Sequence, residues 1–281
     1  MRISKDTTSE TAARIVAPAP RRVCRTLVGM CALALATTIT ACSVGSSPHG
    51  ELAQDKQTLA SCDTSAPPAS DIQIDGTGSS NTKTITEERM TAIEQIVRTT
   101  AICSGRVRVS VFSGSSAATA TLFDGPLPLH GATDNAKLKR VGAVVDDAMT
   151  EIRDAYSPAV VGLKGKGSDI TAQYRLAGEW SNQVGEGFRL HLVLLTDGFQ
   201  NVGIDLGKQA ISKREAAELA NKTDVPKLPG ASVTVAGLGR VSGSPPRSDV
   251  VEGLVSFYNA LCKKTGAAKC VSVTDYASEG R

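Results

Sequence analysis

The stretch IQIDGTGSS, residues 72–80, ends a short apolar run in an acid and then sets hydroxyl side chains at alternate positions. Ile72 to Ile74 has the apolar character of a buried strand, and Gly76 and Gly78 mark the turn that follows it. Asp75, Thr77 and Ser79 are hard oxygen donors that a strand end does not need for folding. Taken alone, the triplet reads as a polar turn whose Asp or Ser caps the next helix. Its meaning depends on what the rest of the chain brings to that strand end.

Working outward, strands and helices alternate. A helix follows strand one, with Thr84 and Glu87 as a capping box and Met90, Ile93, Val97 and Ala101 on one face. RVRVSVF (106–112) alternates strictly and places Val107, Val109 and Val111 on one side of a strand. Thr119–Phe123 is a weaker strand after a Gly/Ser turn, and the tight hairpin makes it antiparallel and an edge. A long helix is predicted near 135–156, burying Leu138, Val141, Val145, Met149 and Ile152. LHLVLLTD (190–197) is nearly continuously apolar, as a parallel strand buried on both faces must be. Ser212 and Glu215 cap a short helix, and 231–239 and 270–275 are further strands. Between them Val250, Leu254, Phe257 and Leu261 mark a helix. The pattern predicts an α/β domain over residues 70–281: three layers, doubly wound, with a mostly parallel sheet and one antiparallel edge strand. Ligands of such sheets bind beyond the carboxyl ends of the strands, where the strand order reverses. Asp75 and Asp197 both sit at such ends.

The start of the chain belongs to export. Arg21, Arg22 and Arg25 precede TLVGMCALALATTITA, an uncharged stretch that is short for a membrane span. Ile39-Thr40-Ala41-Cys42 resembles the lipobox of bacterial lipoproteins, which implies cleavage before Cys42 and lipid on its thiol. An ordinary signal peptide with an incidental Cys is the alternative. The expected signal segment, 1–41, carries six of the 31 Lys and Arg and two of the 28 Asp and Glu. Without it the net charge of +3 becomes −1, no basic run remains, and nucleic acid is excluded as a partner. Residues 42–69, rich in Ser, Ala and Pro, read as a tether. Cys62, Cys103, Cys262 and Cys270 remain, an even number in an exported chain, so two disulfides are expected. Of three possible connectivities Cys62–Cys103 and Cys262–Cys270 are favoured. The second closes a short loop, and the first ties the segment before strand one to the end of the first helix.

Two further stretches change the reading of Asp75-x-Thr77-x-Ser79. VLLTDGFQN places Asp197-Gly198 at the end of the most apolar strand, and GKGSDI (165–170) places Ser168 and Asp169 in a Gly-rich loop before a helix. In this order, across roughly 70–275, they resemble the von Willebrand factor A (VWA) domain and its metal-ion-dependent adhesion site. That family carries Asp-x-Ser-x-Ser after strand one, a loop Thr, and an Asp-Gly after a later strand. The resemblance implies a cation, Mg²⁺ or Mn²⁺, held by Asp75, Thr77, Ser79, Ser168 and Asp197, hard oxygens of the kind that suit small divalent ions. It also implies an open vertex filled by a carboxylate of a protein or glycan partner. Thr77 stands where Ser is more frequent, and Ser168 where Thr is usual, which leaves Thr171 as a rival for the loop hydroxyl. Asp169 reads as a helix cap.

Catalytic readings fail on spacing. GLKGKGSD has Val160 where a P-loop needs its first Gly and Gly167 after Lys166; AGLGRVSG comes late and lacks a dinucleotide-binding spacing; no nucleophile elbow is present. The Asp-x-Asp of aspartate-nucleophile phosphatases is broken by Thr77. His191 lies within a strand, His49 in the tether, His130 in a Pro/Gly loop, and Trp180 reads as a packing residue. The chain is therefore expected to bind rather than catalyse; the alternatives are a structural or assembly module without functional metal and, on the same sheet, a hydrolase that uses the metal as Lewis acid. Its expected place is the extracytoplasmic face of a bacterial membrane, held there by lipid.

Overall fold

A computed structural model describes residues 48–115, 118–163, 167–207 and 209–276. The expected signal segment and Cys42 lie outside the described residues. The strands are β1 (Pro68–Asp75), β2 (Arg106–Phe112), β3 (Thr119–Pro126), β4 (Arg189–Leu195), β5 (Ser232–Ala236) and β6 (Lys269–Val273). The helices are α1 (Pro48–Ser61), α2 (Lys83–Ile102), α3 (Asp134–Leu138), α4 (Val141–Gly162), α5 (Ile170–Val184), α6 (Lys213–Lys222) and α7 (Ser248–Thr265).

The strands form one sheet in the order β3-β2-β1-β4-β5-β6. Among the described residues only the β2–β3 pairing is antiparallel, which puts the expected antiparallel strand at the edge. The chain winds from β1 outward to β3, then returns beside β1 with β4 and winds the other way. The strand order therefore reverses between β1 and β4, where Ile74 stands opposite Leu195. That register brings Asp75 and the residues just after β4 to one point.

Alternation along the central strands feeds two cores. Ile72, Ile74, Val107, Val109, Val111, Val193 and Leu195 face α2 and α4. Leu192, Leu194, Val233 and Val235 face α5, α6 and α7. Both faces of β1 and β4 are covered; β4 is nearly continuously apolar for that reason, whereas β1 buries Ser70, Asp71 and Gln73 beside its apolar residues.

Three local expectations are corrected. The cap of α2 is Thr82, not Thr84: Thr82 is extended, and its side chain accepts from the Ile85 N–H, which leaves Thr84 inside the first turn. The long helix expected at 135–156 is two, α3 and α4, separated at Lys139 and Arg140; Thr133 caps α3. The expected tether holds a helix. Leu52 and Leu59 of α1 pack against the core, and Arg98 of α2 grips Asp55 with two hydrogen bonds of 2.9 and 2.8 Å. Disulfides join Cys62 to Cys103 and Cys262 to Cys270, the favoured connectivity.

Candidate metal centre

β1 delivers Asp75 to the sheet's carboxyl edge, where its carboxylate starts the turn. Asp75 Oδ1 accepts from the Thr77 N–H (3.0 Å) and the Thr77 hydroxyl (2.7 Å). A side chain that bonds the backbone two residues on closes an Asx-turn. This turn lays Thr77 over Asp75, and the 3-10 turn Gly78–Ser80 then carries Ser79 toward β4. Arg89 of α2 lies beneath, fully buried, donating to the Asp75 carbonyl (2.8 Å) and to the Tyr276 hydroxyl (3.2 Å).

The end of β4 supplies the second acid. The Ser79 hydroxyl donates to Asp197 Oδ2 at 2.8 Å, and the Phe199 N–H donates to Oδ1 at 3.0 Å. Thr196 donates its hydroxyl to Asp75 Oδ2 at 2.8 Å, so neighbouring residues of one strand end hold both acids. Gly198 has φ +83°, a conformation that favours glycine, and Leu238 and Tyr258 fill the space where a Cβ would stand. The Tyr258 hydroxyl donates to the Gly198 carbonyl at 2.9 Å.

The loop before α5 supplies the last oxygen. The Ser168 hydroxyl stands 3.2 Å from that of Thr77 and donates to Asp75 Oδ1 at 3.3 Å. Asn201 fixes this loop: its Oδ1 accepts the Ser168 N–H at 2.9 Å and occupies the space a Cβ on Gly167 would need. Thr171, the rival, is engaged elsewhere. Its N–H donates to Gln200 Oε1 and its hydroxyl accepts from Gln200 Nε2, both at 2.8 Å. Asp169 caps α5 by accepting from the Ala172 N–H, as expected.

Asp75, Thr77, Ser79, Ser168 and Asp197 thus meet at one point. Neighbouring oxygens of the five lie 2.7–3.4 Å apart. Oxygens on adjacent vertices of a Mg²⁺ octahedron stand about 3 Å apart, given ligand distances of about 2.1 Å. Both acids are fully buried. Burial raises the pKa of Asp197, and the charge of Asp75 raises it further, against the Phe199 N–H, the Ser79 hydroxyl and Arg89. Two acids crowded in a water-poor corner are what a cation relieves. No group of three or more His, Cys, Asp and Glu side chains arranged to hold a metal is present among the described residues. With two carboxylates and three hydroxyls the donor set is charge-poor, suited to Mg²⁺ or Mn²⁺ rather than to zinc.

Other singled-out residues lie apart from this point. His191 is on β4 near its start, and His130 is in the loop after β3. Trp180 is buried, donates to Asp124 and carries the Arg108 guanidinium 4.8 Å from its ring centre, so it packs as expected. Thr196, Asn201, Gln200 and Arg89 were not anticipated. Three of them lie within LTDGFQN, the stretch already singled out for Asp197, so adjacency to that acid was the available signal.

No family model matches the chain, and no curated protein does. Among solved structures it is similar to the conserved hypothetical protein BatB of Bacteroides thetaiotaomicron. Identity is 14% and the TM-score 0.44, over 75% of this chain and 93% of that one. It is also similar to the manganese-loaded TRAP protein of Plasmodium vivax (16% identity, TM-score 0.40, 77% and 71% covered). A third likeness is to the pilus adhesin SpaC of Lactobacillus rhamnosus GG (13%, TM-score 0.38, 77% and 29% covered). At these scores the function is read from the chain's own side chains.

Proposed function

We propose that this chain is a VWA-like binding protein, lipid-anchored through Cys42 at the extracytoplasmic face of a bacterial membrane. Its domain takes a protein or glycan partner through a divalent cation, Mg²⁺ or Mn²⁺. The observation that carries the reading is the convergence of Asp75 and Asp197 with three hydroxyls at the point where the strand order reverses. Thr77, Ser79 and Ser168 would hold the ion as neutral donors, and the two acids behind them would offset only part of its charge. When bound, the cation supplies a positive vertex for a carboxylate of the partner. Hydroxyl ligands leave much of that charge unneutralised, which suits capture of an acid. The domain works by binding, not turnover.

One observation favours a second reading, an assembly module without functional metal. Hydroxyl and amide donors already hydrogen-bond both carboxylates: Thr77 and Thr196 for Asp75, Ser79 and Phe199 for Asp197. Calorimetric titration of Mg²⁺ and Mn²⁺ into the purified protein separates the two. Saturable binding that disappears in Asp75→Ala supports the cation site; absence of binding in the unaltered protein favours the assembly module.

A further inference from the structure

The candidate metal centre opens into a cavity of about 430 Å³, within the usual size of ligand pockets. One wall carries the hydroxyls of Thr77, Ser79 and Ser168. Ser113 and Asn201 add polar lining, and the apolar part is formed by Val160 and Leu163 at the end of α4 and by Phe199 after β4. Leu163 lies against the metal motif itself: a Cβ on Gly76, between Asp75 and Thr77, would stand 2.5 Å from Leu163 Cδ1. The described residues lining this cavity include no charged side chain. On the same turn of α4 Val161 is 84% exposed, the large hydrophobic side chain that stands out in solvent among the described residues. The larger cavity, of about 570 Å³ near the start of β4, differs: Arg175 and Arg189 on its wall are paired with Glu179 and Asp63.

We propose that the partner is a protein that offers a carboxylate side chain next to a large apolar one, with the acid on the cation and the apolar group between Leu163 and Phe199. This rests on the cation-bridged reading above and narrows its partner from protein or glycan to protein. The chemistry of the wall selects it. A sugar ring pressed against Val160 and Leu163 would lose water from hydroxyls that find no partner there, which costs free energy. An aliphatic or aromatic side chain gains by the same burial. The exposed Val161 follows Val160 in α4 and adds an apolar side chain in solvent.

The test uses the full chain in detergent and bead-bound probes: the peptides Gly-Leu-Asp-Leu-Gly, Gly-Gly-Asp-Gly-Gly and Gly-Leu-Asn-Leu-Gly, and a uronic-acid oligosaccharide. Each is assayed in Mg²⁺ and in chelator. The Leu-flanked Asp peptide is expected to be retained about tenfold better than the Gly-flanked one in Mg²⁺, and chelator or Asn to abolish retention. Val160→Ser, on the apolar lining and outside the metal motif, should cut that advantage by at least half while leaving Gly-Gly-Asp-Gly-Gly retention in place, which a misfolded variant would not do. Equal retention of the two Asp peptides in Mg²⁺, or stronger retention of the oligosaccharide, overturns the inference but leaves the cation-bridged reading standing. If no acidic probe distinguishes Mg²⁺ from chelator, that reading fails and this inference with it.

Discussion

The Ser79 hydroxyl donates to the Asp197 carboxylate at 2.8 Å across 118 residues of chain. This bond joins the turn after β1 to the end of β4, the two strands between which the sheet reverses its order. It joins Asp197 to the cluster of oxygens formed by Asp75, Thr77, Ser79 and Ser168.

Asp197→Asn should act in opposite directions on fold and function. Asp197 is buried beside Asp75, and the two charges repel. The metal-free variant should melt at a higher temperature than the unaltered protein. Mg²⁺ at about a hundredfold excess over its dissociation constant should stabilise the unaltered protein by about 2.7 kcal/mol. For a domain of this size that is roughly 5–10 °C in Tm, and the variant should lose the gain. Scanning calorimetry with and without Mg²⁺ measures both effects.

Ser168 and Thr171 should separate cleanly. Ser168→Ala removes a hydroxyl that contacts both Thr77 and Asp75, and metal affinity should fall about tenfold, a loss of about 1.4 kcal/mol. Thr171→Ala breaks only its bond with Gln200 and should leave affinity within about twofold. Asn201→Ala, which frees the Ser168 loop, should resemble Ser168→Ala. Titration calorimetry ranks the three, and a larger effect from Thr171→Ala would mean the wrong hydroxyl has been assigned.

The two disulfides should contribute unequally. Cys62–Cys103 spans 41 residues and Cys262–Cys270 spans 8. Loop-closure entropy gives about 4 kcal/mol for the first and about 2.5 kcal/mol for the second. Denaturant titration of the paired Cys→Ala variants checks the order, and limited proteolysis within 48–61 should accelerate only when the first is removed.

Arg108→Ala should be costly away from the candidate metal centre. Arg108 makes bonds of 2.8 and 2.7 Å to the carboxylate of Asp71, which is fully buried. Stripping one partner from a buried pair costs about 3–5 kcal/mol. Arg108→Met combined with Asp71→Leu should recover most of it, because no charge is then left unpaired. Urea unfolding of the single and double variants measures the difference.

Several of these residues were legible before the fold was. The alternation of Asp75, Thr77 and Ser79 is visible because an Asx-turn needs only the first of these three alternating oxygens. Asp197 is visible at the end of the most apolar strand. Arg89 and Asp71 were not. An Arg within an amphipathic helix ordinarily faces water, and nothing local says that Tyr276, 187 residues on, closes over it. The tether was misread because α1 is weakly apolar. Leu52, Leu59 and the Asp55–Arg98 pair hold it through contacts with another helix, and such contacts leave no local pattern.

The sequence by itself determined the α/β alternation, the antiparallel edge and four of the five clustered oxygens, because periodicity and turn chemistry are local properties of a chain. Only the tertiary structure placed Ser168, and not Thr171, beside Thr77 and Asp75, decided between three disulfide connectivities, and showed that α1 joins the domain. Each of those turns on which distant segments lie side by side. That is set by the winding of the sheet about β1 and β4 and by the packing of both its faces, a property of the whole chain that no short stretch carries.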